Sequence, residues 1–135
     1  MTTALTTAII CTAVLAAMLF LLGLNVSRMR GVTAKAGGSL LPHDPASRLL
    51  IAIRAHGNAA EYIPVLIVLF LLVGARSPAV VAIPLIVGAT LARLAHAYAM
   101  LSARSLAAQS TPRLAGAFGT YFFGTALAVA VVFTL

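Results

Sequence analysis

The run Arg54-Ala55-His56-Gly57-Asn58-Ala59-Ala60-Glu61-Tyr62-Ile63-Pro64 places a guanidinium, an imidazole, an amide, a carboxylate and a phenol just ahead of a long apolar stretch. Read as a helix at 100° per residue, it brings Arg54, Asn58 and Glu61 within about 60° of arc, with Tyr62 beside them. His56 points nearly the opposite way and reads as a helix-contact or loop-facing residue. A second cluster, Arg93-Leu94-Ala95-His96, lies further along. Arginine forks bind carboxylates bidentately. Glu61 can take an ammonium group. Excess positive charge also stabilises a thiolate. Together these residue types suit a small anionic ligand that carries an amine. Each has a structural alternative. Arg54 or Arg93 could pair with Glu61 between helices. His96 could serve the site or simply pack, and Tyr62 and Tyr98 could be packing or interfacial aromatics.

These residues sit in a chain that cannot keep itself wet. Of 135 residues 62% are hydrophobic and 8% charged, against roughly 25% charged in soluble domains. Lipid must be the solvent, and a polar helix face must then meet protein or water. Four segments approach the ~20 apolar residues that span a bilayer: about 3–27, 45–73, 79–102 and 113–135. Their apolar runs are continuous and do not alternate, which excludes a β-barrel. The fold class is therefore all-α integral membrane, a four-transmembrane-helix bundle, with residues 1–135 as a single domain. The uncharged run from Met1 to Ser27 exceeds the ~7–15 residue core of a cleavable signal, so it reads as a retained first helix.

Residues 28–44 form the longest connection, with Gly31, Gly37, Gly38 and Pro42 as helix breakers. Residues 74–78 make a tight turn, and 103–112 a polar link. Ser110 or Thr111 is placed to cap the fourth helix, with Pro112 in its first turn. Gly116, Thr120, Gly124 and Ala128 form a small-residue stripe of the kind that lets helices approach closely in lipid. Pro64 leaves the Ala60 carbonyl without its helical partner, so a local kink or bound water is expected there.

The net charge is +7. The first connection and its margins hold Arg28, Arg30, Lys35 and Arg48, the third Arg104 and Arg113, the second only Arg76. This asymmetry sets topology: the first and third connections face the cytoplasm and both termini face outward. A basic balance can also mean nucleic acid, but no wettable basic face or motif supports it. The single cysteine, Cys11, forms no internal disulfide and reads as a small buried residue; no metal-ligand spacing occurs. By the ~1.5 Å rise per residue, Arg54 lies ~10 Å, His96 ~9 Å and Arg93 ~14 Å from the cytoplasmic ends of their helices. The two polar patches match in depth. Arg28 and Arg113 stand at the cytoplasmic mouth, and Glu61 is the deepest member.

The run 54–64 resembles the second-helix signature of the MAPEG family, the membrane-associated proteins of eicosanoid and glutathione metabolism. Val26-Ser27-Arg28-Met29-Arg30 is similar to the family's basic end of the first helix, and Arg93-Leu94-Ala95-His96 to its third-helix Arg-x-x-His, as in the prostaglandin E synthase branch. The resemblance implies a homotrimer that binds glutathione as cosubstrate between neighbouring subunits, near the cytoplasmic side. Carried over by position, it assigns Arg28, Arg54, Asn58, Glu61 and Tyr62 to glutathione, with His96 in the same pocket and Arg93 in support. It also implies a thiol-activating arginine near the start of the fourth helix: Arg113, with Arg104 as second choice. The chain departs from the family at Met100, where a tyrosine is often found.

The expected function is that of a glutathione transferase or peroxidase acting on lipophilic electrophiles that arrive through the bilayer. The absence of targeting signals and the short loops point to a bacterial inner membrane. Two alternatives belong to other classes. A small proton-coupled multidrug-type transporter would also use one intramembrane carboxylate, usually in the first helix and without a nearby arginine. A catalytically inactive family-like scaffold would keep the fold and lose the chemistry.

Overall fold

A computed structural model of the chain describes residues 1–134. Four helices follow in order: α1 Thr3–Lys35, α2 Arg48–Arg76, α3 Ala79–Ser102 and α4 Thr111–Val132. All four are long and apolar enough to cross a membrane. Exposed apolar side chains such as Phe20 and Val80, 79% and 81% exposed, cover the outside of the bundle. In lipid these are ordinary solvent contacts.

Helix α1 runs past Ser27 to Lys35, so the first connection is shorter than residues 28–44. Gly31 does not break it. A single helical glycine costs only about 1 kcal/mol relative to alanine, and its neighbours carry the helix on. The break comes at Gly37, whose φ of +70° suits glycine. There the Gly38 N–H donates to the Thr33 carbonyl (2.9 Å) and the Gly37 N–H to that of Ala34 (3.0 Å). This paired closure satisfies two terminal carbonyls. At the start of α2, the Ser47 hydroxyl accepts from the Leu50 N–H (3.4 Å), which moves the start from 45 to 48. Ser110 occupies the cap position of α4 with Pro112 in the first turn, but its side chain makes no capping bond. Helix α2 continues unbroken through Pro64.

Successive helices run antiparallel. Helix α1 packs along α2, α4 along α3, and α2 meets α3 between them; α1 and α4 do not touch among the described residues. The α1–α2 seam is close-packed. A Cβ added at Gly74 would lie 2.6 Å from the Ala8 Cβ and 3.1 Å from the Ala4 carbonyl. His56, off the polar face, packs its ring against Gly23 of α1, which is the helix-contact role. Cys11 is buried in the same core. Helices α3 and α4 approach as closely. At Gly116 an added Cβ would meet the His96 Cβ and backbone nitrogen at 2.7 Å each. The small-residue stripe of α4 divides here: Gly116 and Thr120 are buried, whereas Gly124 and Ala128 line an open groove beside α2.

Candidate functional site

The cavities follow from that packing. Helices α2 and α4 make the sparsest of the helix contacts, so a groove stays open between them. At the end where α2 and α4 begin and α3 finishes, backbone and arginine bonds tie the connections together. The Leu106 N–H donates to the Pro45 carbonyl (2.8 Å), and Arg48 Nη1 to that of Ala103 (3.2 Å). Arg113 Nη1 donates to the carbonyls of Leu106 (3.0 Å) and Ala108 (3.3 Å). The 103–110 link is thereby held as a roof over the groove.

Under it lies a cavity of about 480 Å³. Arg54 and Asn58 enter from α2, His96 and Met100 from α3, Gln109 from the link, and Arg113, Ala117 and Tyr121 from α4. Both carbonyl bonds of Arg113 use Nη1, which leaves Nε and Nη2 for a ligand. The His96 Nδ1 lies 3.0 Å from the Arg113 carbonyl. A carbonyl only accepts, so Nδ1 carries the proton, and Nε2 is the acceptor of the neutral ring.

Arg93 sits behind this wall. It is 1% exposed. Its Nη2 donates to the Asn58 Oδ1 (2.8 Å) and its Nη1 to the Thr120 hydroxyl (3.4 Å). Its guanidinium carbon stands 5.3 Å from the centre of the Tyr62 ring, within cation–π range. Arg93 thus donates to Asn58 and Thr120, makes no interhelical pair with Glu61, and keeps a buried Nε–H without a partner. The Asn58 carbonyl is occupied by that bond, which turns its amide N–H groups to other partners.

Glu61 and Tyr62 fall outside the roofed cavity. They line a second one of about 450 Å³, with Val65, Leu66, Leu69, Gly124 and Ala128 as its mostly apolar walls. Tyr121 borders both cavities, and its ring lies 5.9 Å from that of Tyr62. The two spaces thus follow one another along the α2–α4 groove, polar first and apolar beyond.

Of the residues singled out from sequence, Arg54, Asn58, His96 and Arg113 share one cavity. Arg104 does not line it, so of the two candidate activating arginines only Arg113 reaches the others. Arg28 lies on α1, donating from Nη2 to the Asn25 Oδ1 (3.2 Å), on the far side of the chain from α4. Sequence reasoning missed Tyr121 and Thr120. The spacing Arg113, Ala117, Tyr121 marks one face of α4 and would have pointed to Tyr121. Nothing in the sequence marks Thr120 as the partner of a buried arginine.

The MAPEG family model matches residues 8–133, nearly the whole chain. The chain belongs to the MAPEG family. No curated protein and no solved structure matches it. This member of the family is an integral membrane protein whose broad setting is glutathione-related or eicosanoid metabolism. The 54–64 and 93–96 signatures both fall inside the matched region and supply two walls of the roofed cavity.

Proposed function

We propose that this protein is a glutathione transferase or peroxidase acting on lipophilic electrophiles. The observation that carries the reading is the convergence of Arg54, Asn58, His96 and Arg113, from three helices, on one cavity of about 480 Å³. That volume falls within the roughly 300–1,000 Å³ of small-molecule sites. Glutathione has two carboxylates for guanidinium forks and a thiol for the cationic pocket. A tripeptide lying along the groove would reach past Tyr121 to Glu61, which would receive its ammonium, with Tyr62 alongside. The apolar second cavity would admit the lipid-dissolved cosubstrate.

In the transferase reaction, Arg113 stabilises the glutathione thiolate. The sulfur forms a bond to the electrophilic carbon, and the leaving group departs with the electron pair. With a lipid hydroperoxide, the thiolate attacks the terminal oxygen and the alcohol leaves after protonation. A second glutathione then closes the disulfide and water is released. Met100 at the cavity wall supplies no hydroxyl, so the donors near the sulfur would come from Arg113 and Tyr121.

The reading extends to a homotrimer in a bacterial inner membrane, with both termini outside and the cavity facing the cytoplasm. The basic end supports this orientation. Arg28 would then reach glutathione from a neighbouring subunit, because α1 and α4 are apart within one chain.

The test is glutathione titration by calorimetry together with conjugation of 1-chloro-2,4-dinitrobenzene by the purified protein. Arg113→Ala is expected to lower turnover by about 10²-fold while glutathione still binds. Arg113→Lys, which keeps the charge, recovers part of the rate. A protein that neither binds glutathione nor conjugates the electrophile ends this reading.

A further inference from the structure

A second groove opens on the other side of the bundle, between α1 and α3. It holds about 580 Å³, and its walls include Val14, Met18, Leu21, Leu94, Ala97 and Tyr98. Asn25 and Leu101 close one end. The same two residues border a small hollow of about 50 Å³ that is also lined by Arg28 and Arg48. The apolar groove therefore runs directly into a pair of guanidinium groups, and neither space has a carboxylate in its lining.

Both arginines are held at that end. Arg28 donates back along its helix to the Asn25 Oδ1 (3.2 Å), which folds its head toward the groove. Arg48 reaches across to the Ala103 carbonyl at the end of α3 (3.2 Å). The dimensions match a lipid. Val14 to Asn25 covers ~16 Å at the helical rise, about half of the ~30 Å hydrocarbon core. Arg28 follows the last residue of the uncharged run, at the depth where hydrocarbon gives way to head groups.

We propose that this groove is a binding site for an anionic phospholipid, with an acyl chain between α1 and α3 and the phosphate on Arg28 and Arg48. The occupant follows from charge and solvent: a groove one leaflet long, lying in lipid and ending on two unneutralised cations, selects a negatively charged amphiphile. The site is separate from the α2–α4 groove. Arg28 would be shared with the neighbouring-subunit reading above, so Arg48, which lines this hollow and not the glutathione cavity, is the informative residue.

Native mass spectrometry of the full chain from detergent, with dioleoyl phosphatidylglycerol and dioleoyl phosphatidylcholine in equal amounts, tests this. Each guanidinium near the surface is expected to favour the anionic lipid roughly fivefold. Wild type should retain phosphatidylglycerol at least ~10-fold over phosphatidylcholine, Arg48→Ala should lose roughly fivefold of that preference, and Arg28→Ala/Arg48→Ala should lose it entirely. Arg48→Lys should keep most of it. Ala17→Trp, which fills the groove from α1, should lower retention of both lipids. Lipid retention is measured without glutathione or electrophile, so its outcome is distinguishable from that of the proposed catalysis. Equal retention of the two lipids by wild type overturns the proposal, as does a preference that survives the double variant. So does an Ala17→Trp protein that keeps its lipid and changes oligomeric state, since the groove would then be a subunit contact.

Discussion

Helix α2 borders two regions built on opposite terms. Toward α1 it presents small and apolar residues together with the His56 ring, and the seam closes until Gly74 has no room for a methyl group beside Ala8. Toward α4 it presents Arg54, Asn58, Glu61 and Tyr62, and the seam stays open as two consecutive cavities. In lipid no hydrophobic force separates these faces, because the tails are as apolar as leucine. The difference is one of fit and polarity. Small side chains let backbones approach and gain dispersion contacts, whereas ionisable groups must keep a space that a polar partner can enter. One helix thus anchors the bundle on one face and builds the site on the other.

Substitutions of matched kind on the two faces sharpen that contrast. The largest effect is expected in the closed seam. Gly74→Ala puts a methyl group 2.6 Å from the Ala8 Cβ, and overpacking of this sort should cost about 2 kcal/mol. Thermal denaturation in detergent should show the loss, with glutathione affinity unchanged. Next comes the support behind the open face. Arg93→Met removes a buried guanidinium with little net effect on stability, because buried charges are often replaceable by apolar groups. It also frees the Asn58 amide that Arg93 orients. Glutathione affinity should then fall roughly tenfold, about the 1.4 kcal/mol of one good hydrogen bond. The smallest effect belongs to the groove itself. At Gly124 an added Cβ meets only the Leu66 Cδ2, at 3.8 Å. Gly124→Ala should change stability by no more than about 0.5 kcal/mol, and a change as large as that of Gly74→Ala would break the comparison.

The sequence was legible where periodicity and hydropathy govern. Four apolar runs became four helices, and the 100° rotation of α2 correctly separated Arg54 and Asn58 from His56, which turned to α1. Hydropathy marks where lipid ends and not where a helix ends, so α1 continues past Ser27 until Gly37 supplies the backbone conformation that stops it. The partners of Arg93 were not legible. They depend on the rotation of three helices and on the close approach of α4 to α3 at Gly116, a tertiary property. Tyr121 was hidden for a different reason. It precedes Phe122 and Phe123, and an aromatic facing a cavity has the same composition as one facing lipid. Matched depth brought Arg54 and His96 together correctly, but depth alone could not tell that Glu61 and Tyr62 would border the next cavity along the groove.

The central claim is that the roofed cavity between α2, α3 and α4 holds glutathione. Calorimetric titration of glutathione into wild type, Arg54→Ala and Glu61→Gln in detergent tests it most directly. Arg54 lines the roofed cavity, and losing a charge-assisted bond there should weaken binding by about tenfold or more. Glu61 lies one cavity further on, so Glu61→Gln should weaken binding by less. No binding by the wild type, or a larger loss in Glu61→Gln than in Arg54→Ala, would contradict the account.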